Sequence, residues 1–228
     1  SGYASGGWTG SNSNVIDKFS FSSDGDATDV GDLTVARRFA AGQSSTTHGY
    51  ATGGDTGSKS NVIDKFSFTS DGDASDVGNL TVARDAVAGQ SSTTHGYTSG
   101  GDTSGGADNV IDKFSFSSDG DASDVGDITV TGYGGAGQSS TTHGYTSGGN
   151  TGSFSDIIDK FSFSSDGDAS DVGDMTVARE SGGGQSSTTH GYATGGRTAA
   201  DSDVIDKFSF SSDGDASDVG DITVVRKY

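Results

Sequence analysis

Apolar and polar residues alternate along this chain in short runs. In the first copy Val15, Asp17, Phe19 and Phe21 take alternate positions, as do Leu33 and Val35. Val, Ile, Phe, Tyr and Thr suit the pleated surface of a strand. Clusters of Gly and Asp break the pattern about every 8 to 12 residues, as expected of many short antiparallel strands. No segment carries a sustained helical period with capping residues at its ends.

The runs repeat. Tyrosines in one context fall at Tyr3, Tyr50, Tyr97, Tyr145 and Tyr192, spaced by 47, 47, 48 and 47 residues. The extra residue lies in the stretch after Gly101 and marks a surface loop. Five copies result, over 1–47, 48–94, 95–142, 143–189 and 190–228. Each reads Gly-Tyr-(Ala/Thr)-(Ser/Thr)-Gly-Gly, a variable loop, an unchanging Ile-Asp-Lys-Phe-Ser-Phe, an acidic turn, then (Leu/Ile/Met)-Thr-Val. A short variable stretch leads into Gly-Gln-Ser-Ser-Thr-Thr-His-Gly-Tyr, which occurs four times. Strands A to D are predicted at about 42–47, 49–53, 62–68 and 77–82 in the first full set. Four strands per unit of this length is the pattern of a propeller blade, with a linear solenoid as the structural competitor. The expected fold is all-β, a five-bladed β-propeller of four-stranded antiparallel blades forming one domain over 1–228.

The units resemble kelch repeats. Tyr50 with Gly53–Gly54, then Ile63, Asp64 and Phe66, then Val77, Leu80 and Arg84 follow that family's order in all five copies. Two departures stand out. Ala27 and Ala74 occupy the family's Trp position, and Thr131 is read in place of the third Arg. The run Ser22-Ser23-Asp24-Gly25-Asp26-Ala27-Thr28 is similar to the Asp-box turn of sialidase-type propellers, without its second Gly and its Trp. That resemblance implies a structural turn and no activity.

The ends of the chain carry information too. Val225-Arg226-Lys227-Tyr228 corresponds to Ala36-Arg37-Arg38-Phe39, and Ser1-Gly2-Tyr3 to His48-Gly49-Tyr50. Passing from end to start omits the equivalent of 40–47, which is strand A, the innermost strand in kelch proteins. One inner strand is therefore expected to be missing from the chain. An unpaired edge invites pairing, so a longer parent chain, a neighbouring molecule or the Ser1 end is expected to fill it. The start at Ser1 and the lack of a signal peptide point to processing or to a piece of a longer chain.

Differences among copies concentrate in two places, the B–C loop and the D–A connection. Antiparallel order puts both at one end of the molecule, with the A–B and C–D turns at the other. A rigid scaffold with variable loops on one face suits recognition, while tolerance at loop tips is the plain alternative. The candidate ligand-binding residues are Trp8, Arg38, Phe39, Asp55, Lys59, Asp102, Tyr133, Phe154, Glu180 and Arg197, with Trp, Tyr, Phe and Arg the usual anchors.

Composition narrows the partners. The chain has 32 acidic residues against 13 Lys and Arg, a formal charge of −19, which excludes the basic stripe of a nucleic-acid binder. There is no cysteine for a disulfide, no proline, and no apolar run long enough for a membrane helix. Hydrophobic residues make up only 29%, which suits units that share a modest core.

The sequence offers three candidate chemistries. The acidic turns Asp24/Asp26/Asp29, Asp71/Asp73/Asp76, Asp119/Asp121/Asp124, Asp166/Asp168/Asp171 and Asp213/Asp215/Asp218 resemble the start of a calcium loop, without its Gly at the sixth position or its bidentate Glu. Weak Ca²⁺ binding is set against tight hairpins in which Asp and Ser bond their own backbone, and the hairpins are favoured. His48, His95, His143 and His190 occupy one repeat position and read as turn residues rather than metal ligands. The Ser and Thr of strand A would line a polar channel as a ring of equals, not a unique nucleophile site. Arg37, Arg84, Arg179 and Arg226 are expected to pair with Asp17, Asp64, Asp159 and Asp206, with Thr131 leaving Asp112 alone.

The leading expectation is a non-enzymatic structural or recognition module that binds a glycan or cell-surface protein and needs no cofactor. Self-association or a longer parent chain is also expected. Similarity to repeat regions of phage and bacterial surface proteins implies an extracellular or virion-surface location. The alternatives are a propeller enzyme of the glycoside-processing or oxidase type, and a filament or fibre subunit.

Overall fold

The computed structural model describes residues 1–226; Lys227 and Tyr228 of the end-to-start correspondence lie outside them. All regular elements are strands, and they form five separate antiparallel sheets, one per unit. The first sheet holds β1 (Gly2–Ser5), β2 (Ser13–Phe19) and β3 (Thr28–Arg37). The second holds β4 (Ala41–Ser44), β5 (His48–Thr52), β6 (Val62–Ser67) and β7 (Ser75–Asn79). The third adds a two-residue strand β8 (Arg84–Asp85) to β9 (Ala88–Ser91), β10 (His95–Thr103), β11 (Gly106–Ser115) and β12 (Ser123–Asp127). The fourth comprises β13 (Ala136–Ser139), β14 (His143–Asn150), β15 (Phe154–Ser162) and β16 (Ser170–Asp174). The fifth comprises β17 (Gly183–Ser186), β18 (His190–Thr194), β19 (Val204–Ser209) and β20 (Ser217–Asp221). The first sheet has three strands where the second, fourth and fifth have four, because β1 has no inner neighbour.

Two strand bounds differ from expectation for local reasons. Strand A stops at Ser44 because Ser45 begins the turn: its N–H donates to His48 O, and its hydroxyl accepts from the N–H groups of Thr47 and His48. Strand D stops at Asn79, short of the predicted 77–82. Leu80 turns inward, and Thr81 reaches out of its own sheet to Asp112 of the third.

The core lies between sheets rather than within them. Four clusters of buried residues each span two neighbouring sheets. In each, a Tyr of one sheet stacks on a Phe of the next: Tyr3 on Phe68 at 4.7 Å, Tyr50 on Phe116 at 4.9 Å, Tyr97 on Phe163 at 4.8 Å and Tyr145 on Phe210 at 4.9 Å. Each such ring pair adds about 0.5–1.5 kcal/mol beyond its buried area. Ile16, Ile63, Ile111 and Ile158 are fully buried beneath them. Ala74 and Ala216 of the acidic turns are buried in these clusters as well.

Beside each aromatic stack runs a buried polar layer, and here the sequence expectation needs correcting. Arg37 pairs with Asp64 at 2.6 Å, Arg84 with Asp112 at 2.8 Å and Arg179 with Asp206 at 2.9 Å. Each pair joins a sheet to the following one, because the Arg side chain crosses from the end of strand D, or from just past it, to strand C of the next sheet. Asp112 is therefore partnered. The residue that stands where Arg stands in other units is Gly132, not Thr131: Gly132 O accepts from Gly101 N as Arg84 O accepts from Gly54 N. The acid left without a guanidinium is Asp159, buried and bonded by Thr129 alone. Burial pushes the Asp159 carboxyl above the usual carboxylate range, against the pull of the Thr129 hydrogen bonds.

The inner strands β4, β9, β13 and β17 follow one another in contact. They approach so closely that a Cβ on Gly89, Gly137 or Gly184 would run into the backbone of Gly42, Gly89 or Gly137. All four line a cavity of about 600 Å³ at one end (44–46, 91–93, 139–141, 186–188) and another of about 370 Å³ at the other (39–42, 86–89, 134–137, 181–184).

Candidate rim site

The two variable connections meet at every internal junction. Arg38 and Asp55 exchange backbone hydrogen bonds of 3.1 and 2.8 Å, as do Tyr133 with Asn150 and Glu180 with Arg197, while β8 pairs Asp85 with Asp102. The D–A connection of one unit thus lies on the B–C loop of the next. At the other end A–B turns meet C–D turns, Phe68 N donating to Thr47 O and Phe116 N to Thr94 O.

The candidate residues gather in sets at three of the four junctions, and Tyr133 stands as the one candidate at the other. At the first junction the Arg38 guanidinium sits 4.8 Å from the Trp8 ring centre and 5.0 Å from that of Phe39, and pairs with Asp55 at 2.9 Å. Hydrogen bonding from Gly57 N and Arg38 holds the Asp55 carboxyl below its ordinary value. Trp8 is 59% exposed and Phe39 41%. At the second junction Lys59 lies between Asp85 and Asp102, 2.6 Å from each. Burial pushes the Asp85 carboxyl up in spite of Lys59, and works against the Lys59 charge, but the two carboxylates still hold the ammonium above its ordinary value. At the third, Tyr133 meets Asn150 through backbone only. At the fourth, Arg197 pairs with Glu180 at 3.1 Å and lies 5.8 Å from the Phe154 ring.

Asp85 and Asn150 are site residues that sequence reasoning did not single out. The signal was positional: Asp85 occupies the slot of Arg38, Tyr133 and Glu180, and Asn150 that of Asp55, Asp102 and Arg197.

Phe39 also has a left-handed backbone, φ 57°, as do Ala86, Gly134 and Ser181 in the same slot. For a bulky residue this is an outlier, of the kind found at functional positions. Successive turns hold one another there: Ala86 N donates to Phe39 O, Gly134 N to Ala86 O and Ser181 N to Gly134 O. These turns frame the 370 Å³ cavity, whose wall is otherwise Gly, Ala and Val87. Phe39 thus belongs both to the cavity and to the Trp8–Arg38 stack.

The other candidate chemistries are absorbed by structure. Asp71, Asp119, Asp166 and Asp213 accept from Lys18, Lys65, Lys113 and Lys160 of the preceding sheet. Asp73, Asp121, Asp168 and Asp215 accept from the preceding strand D backbone. Asp29, Asp76, Asp124, Asp171 and Asp218 accept from the Gly two residues on, making local turns. Asp24 and Asp26, on the first sheet, have no such contacts. Among the described residues no group of three or more His, Asp or Glu could hold a metal ion. Each His Nδ1 shares a hydrogen bond with the preceding Thr, at 2.8–2.9 Å.

No protein-family model matches the chain, and neither does any curated protein.

Proposed function

We propose that the chain is a non-catalytic recognition module whose five sheets are blades set around a common channel in the manner of a kelch-like propeller, and that its rim binds a glycan. Convergence of four inner strands on shared cavities supports the blade arrangement over a linear stack. The observation that carries the binding reading is the Trp8–Arg38–Phe39 stack, exposed beside a cavity of about 370 Å³. A concave site with aromatic walls and a few fixed polar groups is the usual form of a small-ligand site. Sugar rings match it, laying C–H faces on Trp8 and Phe39 and hydroxyls toward Arg38 and Asp55. The charge of −19 suits a neutral saccharide better than a polyanion. Such a module would work outside a cell or on a virus particle.

Trp8 is the sole tryptophan, so its fluorescence reports directly on this site. A glycan array should yield a binder that shifts Trp8 emission, and Phe39→Ala or Arg38→Ala should weaken it about 10- to 100-fold, as expected for anchor residues. An array without binders, or a binder indifferent to both substitutions, contradicts the reading.

A further inference from the structure

Every internal junction is made from the same two faces. At the second, Tyr50 on the trailing face stacks on Phe114 and Phe116 of the next sheet's leading face. Lys65 reaches Asp119 at 2.5 Å, Thr81 and Arg84 share Asp112, and Gln43 donates to Tyr97 O at 2.9 Å. Backbone bonds of 2.8 Å from Gly120 N to Val77 O and from Ala122 N to Asn79 O complete the seam.

The fifth sheet presents a trailing face and the first a leading face, and among the described residues no core cluster, ion pair or ring contact joins them. On the fifth sheet Ile205 and Ile222 are half-buried where Ile63 and Leu80 are buried. Lys207 and Arg226 meet no carboxylate among the described residues, and Arg226 is exposed where Arg84 is fully buried. A cavity of about 260 Å³ lined by Gln185, Thr194, Ile222 and Arg226 opens where the next sheet would sit. On the first sheet Phe21 is 76% and Phe19 40% exposed, against 4% for Phe114. Asp17 meets no cation, and β1 lacks the strand that β9 supplies to β10 through Ser91↔Gly96 to Ala88↔Ser99.

We propose that these ends are docking surfaces for further units of this same repeat. The trailing face takes the leading face of one such unit, and β1 takes an inner strand. The charges match: Lys207 and Arg226 at one end, Asp17 and Asp24 at the other, are the cations and acids that the internal junctions bring together. The close backbone approach at Gly89, Gly137 and Gly184 sets the spacing an added unit would take, and among the described residues no backbone hydrogen bond joins the fifth sheet to the first. This inference rests on the junctions and is independent of what the rim binds.

The test titrates the full chain with a synthetic segment of the sequence 40–94, which carries two inner strands and one leading face, and follows heat of binding. Saturation at one or two segments per chain is expected. Lys207→Glu should weaken binding at least tenfold, and a segment carrying Asp71→Lys should restore it. Head-to-tail oligomers of the chain alone that Lys207→Glu dissolves would also support the proposal, since another copy's first sheet is such a unit. Absence of saturable binding, or indifference to Lys207→Glu, overturns it. So does an intramolecular disulfide formed readily by the Asp24→Cys, Lys207→Cys double variant, which would show that the two faces meet each other.

Discussion

The junction interiors and the rim connect the same neighbouring sheets by opposite means. Inside, every junction uses one set of residues: a Tyr on two Phe, a Lys on an Asp, and, in three of the four, an Arg on a buried Asp. At the rim each junction has its own contact, Arg38 with Asp55, Lys59 between Asp85 and Asp102, Tyr133 with Asn150, Glu180 with Arg197. The interior supplies adhesion that is the same wherever it occurs, so it cannot tell one unit from another. The rim can, because a wrong neighbour would set like charges together, Arg38 against Arg197 for instance. The difference teaches that most variable residues vary in matched partners across a junction, which leaves the Trp8–Arg38–Phe39 stack as the place where variation faces solvent.

The comparison breaks most visibly at the buried pairs. Asp64→Ala leaves Arg37 buried without a carboxylate and should destabilise by about 3–5 kcal/mol in urea unfolding. Next come the inner strands. Gly137→Ala places a Cβ against the Gly89 carbonyl and should destabilise by about 1–3 kcal/mol, whereas Gly42→Ala, with open space beside it, should be close to neutral.

The third prediction turns on the junction that lacks its Arg. A Cβ at Gly132 meets only ordinary contacts, to Asn150 O and the Thr151 methyl at 3.5 Å, so Gly132→Arg fits at its first atom. It should stabilise by about 1–2 kcal/mol at neutral pH by giving Asp159 a guanidinium. The sign with pH follows from the raised Asp159 value. The folded chain holds that proton more tightly than the unfolded chain, so Asp159 opposes folding more as pH climbs from the ordinary carboxylate range through the raised one. Gly132→Arg should flatten that decline, and its advantage should vanish in acid. The smallest effect belongs to the rim: Arg38→Glu should change stability by less than about 1 kcal/mol, and adding Asp55→Arg should recover it. If rim and interior variants proved equal in size, the distinction between them would fall.

Much of this architecture is legible in the sequence. The period-two runs around Ile63 and Phe66 and the Gly/Asp breaks between them give the strands, and antiparallel order puts Arg38 and Asp55 at the same end of the molecule. What escapes has a common cause. Leu80, Thr81 and Arg84 follow strand D after it leaves its ladder, and no pattern within one unit says which sheet an off-ladder residue will face. Arg37 therefore takes Asp64 rather than Asp17, and Arg84 takes Asp112 rather than Asp64. In the third unit Val-Thr-Gly-Tyr stands against Val-Ala-Arg-Asp, which sets Gly132 rather than Thr131 in the Arg slot, and the backbone bond from Gly101 agrees. Asp85 escaped because its meaning lies in Lys59 and Asp102, residues of the B–C loops of its own and the following unit.

The central claim is that each sheet presents its post-D residues to the C strand of the next. The titration of Asp159, followed by carboxyl-carbon NMR in the native chain and in Gly132→Arg, tests it most directly. The account predicts a native midpoint above the ordinary carboxylate range that drops when the Arg is installed. An ordinary midpoint, or one that Gly132→Arg leaves unmoved, would contradict it.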